Sequence, residues 1–134
     1  MASICREMVV AAPAEAVWDA VRDVGALHTR LVPGFVTDTV LEPGARIVTF
    51  ANGLVARELI VDLDDEARRI VWSARSERLL HHNASLQVFA EGEGTRIVWT
   101  ADLLPEAMRP AIDGMVAQGM AAMKTALERQ AQAG

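Results

Sequence analysis

Apolar and polar positions alternate along this chain with two periods, one of two residues and one of three to four. The stretch SICREMVVAA (Ser3–Ala12) predicts a first strand, and Pro13 suits the first turn of a helix, where a missing N–H has no partner to lose. The following AEAVWDAVRD puts Val17, Trp18 and Val21 on one helical face. Gly25 ends that helix, and ALHTRLV predicts a second short one, stopped by Pro33-Gly34. From Phe35 to Leu103 the period is that of strands. FVTDTVLE runs to Pro43-Gly44, and ARIVTFA runs to Asn52-Gly53, a strong hairpin signal. LVARELIVDL reaches an acidic turn at Asp64-Asp65-Glu66, followed by RRIVWSAR. LLHHNASLQVFA then meets Glu91-Gly92-Glu93-Gly94, and TRIVWTADLL completes seven strands. The last segment, from Leu104, predicts a long helix, with Ile112, Met115, Val116, Gly119, Met120, Met123 and Leu127 forming an apolar stripe. Pro110 requires that this helix begin close to it.

The order strand, two short helices, six strands, long helix predicts an α+β fold, with an antiparallel sheet because the connections between strands are short. The 134 residues are expected to form a single domain spanning 1–134. The net charge of −5 and the scattering of basic residues, with Arg68-Arg69 the one adjacent pair, argue against a nucleic-acid partner. Cys5 is the sole cysteine, which rules out an intrachain disulfide. Arg6 and Glu7 interrupt the first apolar stretch, so no leader is read there, and no run approaches the ~18 apolar residues of a membrane span. A cytoplasmic protein, monomer or homodimer, is expected. Twelve of thirteen basic residues are Arg, a coding bias of GC-rich bacteria that carries no mechanism.

Four segments in this order carry a family likeness: APAEAVWDAVRDVGALHTRLVPG, GARIVTF, ANGLVARELIVDLDDEARRIVWS and GEGTRIVWTADLLP. With them the chain resembles the START-like (SRPBCC) superfamily, which includes birch-pollen-allergen-like proteins, polyketide cyclases and plant abscisic acid receptors. The likeness is closest to the polyketide cyclase/dehydrase-like branch. It implies a helix-grip fold, in which a curved seven-stranded antiparallel sheet wraps the C-terminal helix over a cavity. Family members place sterols, polyketides, hormones or other hydrophobic molecules there, as enzymes, carriers or receptors, so the fold leaves the function open.

Glu58 is the charged residue that tests this expectation. Even positions of the next strand, Ile70, Trp72 and Ala74, face the core by alternation, as do Ile97, Trp99, Ala101 and Leu103 later. In Leu54–Leu63 the odd positions are the more apolar, which by pattern alone turns Glu58 outward. A three-residue turn at Asp64–Glu66 would instead make opposed residue numbers sum to an even total, which sets Ile60 and Glu58 on the side of Trp72 and Ala74, the inner one; a four-residue turn would reverse this. The resemblance favours the inner side, because a glutamate ahead of a similar acidic turn lines the pocket of the abscisic acid receptors. Their gating loop has no counterpart here, where only Ala51-Asn52-Gly53 joins the flanking strands. A carboxylate in an apolar cup must be paired, hydrated or protonated, and Arg46, Arg78, His82 and Asn83 are the candidate partners. Desolvation of a carboxyl group is also what general acid–base work near neutrality uses.

Other polar candidates are sparse. His81 and His82 are strand neighbours pointing to opposite faces, a poor chelate, so no metal site is expected. His82 or Asn83 is placed to meet a ligand oxygen, or else forms a solvated strand end. His28 reads as exposed near the cavity mouth. Trp18 reads as core, whereas Trp72 and Trp99 suit either core or cavity wall. Met115, Met120 and Met123, beside Gly114 and Gly119, suit an adaptable pocket or close helix–sheet packing equally. No serine sits in a nucleophile elbow, no Gly-rich loop opens a helix, and no tyrosine is present.

The expected function is binding of a hydrophobic small molecule, lined by Phe50, Glu58, Trp72, Asn83, Trp99, Met115 and Met120, with no cofactor. The alternative is a cyclase, aromatase or dehydratase in which Glu58 and His82 are the catalytic candidates. A third reading is a protein-interaction module, whose signature would be a filled interior.

Overall fold

The computed structural model describes residues 1–133. Strand β1 (Ala2–Val10) leads through Pro13 into helix α1 (Ala14–Arg22), and a π-helical turn (Leu27–Leu31) follows. Strands β2 (Val36–Glu42), β3 (Ala45–Phe50), β4 (Val55–Asp64), β5 (Arg69–Arg75), β6 (His81–Glu91) and β7 (Gly94–Leu104) come next. A 3-10 turn (Glu106–Met108) then opens helix α2 (Arg109–Ala133), so Pro110 falls in the first helical turn, where it displaces no ladder bond. The predicted second helix is only the single π-helical turn, because Pro33-Gly34 leaves it no room to extend.

All seven strands join one antiparallel sheet in the order β1-β7-β6-β5-β4-β3-β2. This is the helix-grip α+β architecture, with α2 packed along β1 and the π-helical turn. Hairpins account for most of the order. At Asn52-Gly53, Gly53 takes φ +89, and the Asn52 side-chain oxygen accepts the Leu54 N–H at 3.0 Å, closing the turn with its own side chain. The core joins α1 to the concave face of the sheet, with Val10, Val17, Val48 and Ile97 sealed from solvent. Trp18 is buried with its indole N–H donating to Asp65 at 2.9 Å, and Arg22 donates to the same carboxylate at 2.7 Å. These two bonds tie α1 to the β4–β5 turn and hold the Asp65 carboxyl below its ordinary range, Arg22 contributing most.

The β4–β5 hairpin decides the orientation of Glu58. Its turn has four residues, 65–68, not three: Asp64 pairs with Arg69, and the Asp64 carboxylate accepts the Glu66 and Ala67 N–H groups. Such a turn by itself would send Glu58 outward. A β-bulge at Val61, between the Asp62–Val71 and Ile60–Trp72 pairs, restores the parity. Beyond it Ile60 faces Trp72 and Glu58 faces Ala74, so the carboxylate points to the concave side.

Candidate ligand-binding site

A cleft of about 1130 Å³ opens between the concave face of the sheet, the π-helical turn and the N-terminal half of α2. Its sheet wall carries Phe50, Trp72 and Trp99, and its helix wall carries Ile112, Met115 and Val116. The two indoles meet edge to face, with ring centroids 5.8 Å apart, and Phe35 meets Phe50 the same way at 5.4 Å. The mouth is bounded by the β3–β4 turn at Leu54 and Val55 and by the β5–β6 connection from Arg75 to Leu79.

One polar row crosses this apolar floor, set by register. Arg46 on β3 pairs with Glu58 on β4, and Glu58 pairs with Ala74 on β5. Arg46 Nε donates to Glu58 Oε1 at 2.8 Å, with both side chains more than nine-tenths buried. Arg46 Nη1 also donates to the Val24 carbonyl at 3.3 Å, and the guanidinium lies 5.8 Å from the Trp72 ring centroid. The β5–β6 ladder ends at Trp72–Ala84; past it, the His82 side chain takes the place of a ladder partner. Its Nδ1 accepts the Ala74 N–H at 3.0 Å, which puts the ring proton on Nε2. The Ser73 hydroxyl donates to the His82 carbonyl and braces the same gap. Burial, and secondarily the neighbouring His81, push the His82 pKa down to about 4, so the ring is neutral at physiological pH.

The structure brings Phe50, Glu58, Trp72, Trp99 and Met115 to the cleft, together with His82. Asn83 is elsewhere. The β6–β7 register runs unbroken from His81–Leu104 to Glu91–Gly94, so His82 faces in and Asn83 lies opposite Asp102 on the convex face. Met120 is buried but outside the cleft, because it sits five positions, about 140° of helical turn, from Met115. Gly119 packs closely instead of widening the space: a Cβ there would lie 3.0 Å from the Trp99 ring. His28 is half-buried and does not line the cleft. Arg78, a candidate partner of Glu58 by sequence, lies exposed at the mouth and forms no ion pair with it. The rest of the mouth segment, Ser76, Glu77 and Leu79, carried no sequence signal, since its mixed Ser-Glu-Arg-Leu order has neither period. Among the described residues no three His, Cys, Asp or Glu side chains gather as a metal would require, and no helix is long and apolar enough to cross a membrane.

The profile of one family, described as polyketide cyclase / dehydrase and lipid transport, matches residues 1–128. The chain belongs to that family. This places it in the START-like (SRPBCC) superfamily, in agreement with the sequence motifs. No curated protein matches the sequence significantly. Among solved structures, a protein from Thermobifida fusca is 29% identical, with a TM-score of 0.74, over 92% of this chain and 91% of that one. The di-domain ARO/CYC BexL from the BE-7585A biosynthetic pathway is 18% identical, with a TM-score of 0.81, over 96% of this chain and 47% of BexL. A START superfamily protein from Mycobacterium smegmatis is 14% identical, with a TM-score of 0.74, over 98% of this chain and 97% of that one. At such identities the last two are likenesses of fold alone. The polyketide cyclase / dehydrase and lipid transport family spans both enzymes and carriers by its description.

Proposed function

We propose that this member binds a hydrophobic small molecule in the cleft, with Phe50, Trp72, Trp99 and Met115 burying its apolar body and Glu58 orienting a polar group. One observation carries the reading: a space of about 1130 Å³ with apolar walls and a single polar row on its floor. Drug-sized ligands occupy pockets of roughly 300–1,000 Å³ with this kind of lining. Such a space gives the interaction-module reading no support from packing. Native mass spectrometry of freshly purified protein against its denatured mass is the direct test. An adduct of one ligand per chain is the expected result. A bare mass, together with no binding of the neutral dye Nile red, would overturn it.

A second reading is favoured by one feature of the row. Glu58 and His82, two groups able to hold a proton, meet the same residue, Ala74, one by strand pairing and one by hydrogen bond. An enzyme of the cyclase or dehydratase kind would use both. Glu58→Gln would then abolish turnover of a polyketide-like substrate while leaving its binding within a few-fold; loss of binding and turnover together would leave Glu58 with a binding role only.

A further inference from the structure

The row on the cleft floor is electrically closed. An unpaired arginine in an apolar cleft would attract any carboxylate. Arg46, however, already has Glu58 on its Nε at 2.8 Å. The rest of each group stays open. Among the described residues, Arg46 Nη2, Glu58 Oε2 and His82 Nε2 make no hydrogen bond, yet none is a sealed, unsatisfied atom; all three residues line the cleft. The floor therefore offers a donor on Nη2, an acceptor on Oε2 and a further donor on His82 Nε2.

Resting on the cavity reading above, we propose that the ligand's polar end is uncharged and carries a hydrogen-bond donor beside an acceptor, as in an amide or a hydroxyl flanking a carbonyl, and that the site rejects carboxylates. An uncharged donor–acceptor edge satisfies both open atoms at once, accepting from Arg46 and donating to Glu58. A carboxylate on Nη2 would instead crowd a second anion against Oε2, in a water-poor place where like charges repel strongly and the buried acceptor gains nothing. Discrimination of this sort comes from what the wrong group leaves unpaired. His82 adds no charge to the floor at neutral pH. The remaining charged groups along the cleft, Arg75, Glu77 and Arg78, are all exposed at the mouth, where water and salt screen them.

Two isosteric probes separate the alternatives: naphthamide, with a neutral donor–acceptor edge, and naphthoate, its carboxylate counterpart, titrated calorimetrically at neutral pH. On the wild-type protein naphthamide is expected to bind at least about tenfold more tightly, the equivalent of one mispaired charged contact. In Glu58→Gln, which releases the Arg46 charge at nearly constant shape, the order should invert. The wild-type ratio decides the matter even if that variant folds poorly. Equal affinities, or tighter naphthoate, would overturn the proposal while leaving the cavity reading intact. So would binding of Nile red with neither naphthalene. Failure of all three probes would remove the cavity reading and this proposal together.

Discussion

Arg46 and Glu58 form, among the described residues, the one ion pair with both side chains buried, and its energetics are asymmetric. Removing one partner strands the other charge. Arg46→Met should lower stability by about 3–5 kcal/mol in urea unfolding, whereas Arg46→Met with Glu58→Leu should recover most of that loss. A small effect of the single change would mean that water in the cleft already solvates the pair. His82 gives a pH signature. Above its ordinary value of 6.5 the ring is neutral in both folded and unfolded chains and contributes nothing. As pH falls from 6.5 toward about 4, the unfolded chain takes up a proton that the buried ring does not, so stability declines through that window. At roughly 1.4 kcal/mol per unit the decline amounts to about 3 kcal/mol. His82→Asn keeps an acceptor in the place of Nδ1 without titrating. The stability difference between wild type and variant should shift by that amount between neutral pH and about pH 4. The paired carboxylates Asp65, Asp113 and Glu128 titrate in both proteins and cancel from the comparison. Single residues of the site were only partly legible in the sequence. The polarity of His81-His82 continues into Asn83, so the pattern alone left open whether His82 or Asn83 turns in. The pairing of Glu58 with Arg46 lay among four possible partners until the register singled it out.

Along α2 two glycines meet opposite surroundings. A Cβ on Gly114 would touch nothing within 4 Å, so Gly114→Ala should raise stability by about 0.8–1 kcal/mol through helix propensity alone. At Gly119 the same methyl would press on Trp99 at 3.0 Å and Phe35 at 3.2 Å. Trp99 borders the cleft and has room to move that way, so Gly119→Ala should forfeit most of the propensity gain, shift the tryptophan fluorescence and weaken ligand binding. Equal stabilisation by both substitutions would show that the helix–sheet contact is looser than the distances indicate. The elements themselves were largely readable: hairpin signals at Asn52-Gly53 and Gly92, alternation in β5 and β7, and the helical stripe all placed strands and helices within a few residues. The β4–β5 turn was not, because an acidic run closes three-residue and four-residue turns alike, and nothing in LIVDL marks a bulge.

Across the whole molecule, occupancy and stability are linked, since a ligand held between sheet and helix binds the folded chain alone. Saturation of the cleft at about a hundred times the dissociation constant should add about 2.7 kcal/mol, read as a rise in the thermal midpoint with a bound naphthamide. No rise despite calorimetric binding would place the probe outside the cleft. The order of elements was enough to read the architecture, but the volume enclosed depends on how Trp99 and Gly119 meet, which no pattern of polarity encodes. The bulge at Val61 also gives the barrel-like wall an unexpected freedom. Val61 is the surplus residue of its strand and is exposed, so its excision would leave Glu58 opposite Ala74 and Ile60 opposite Trp72. A central strand ordinarily resists any change in length, because every side chain upstream would exchange inside for outside. Here the chain can shed one residue mid-strand and keep its lining, exchanging only curvature, so the depth of the cup and the identity of its wall can evolve separately.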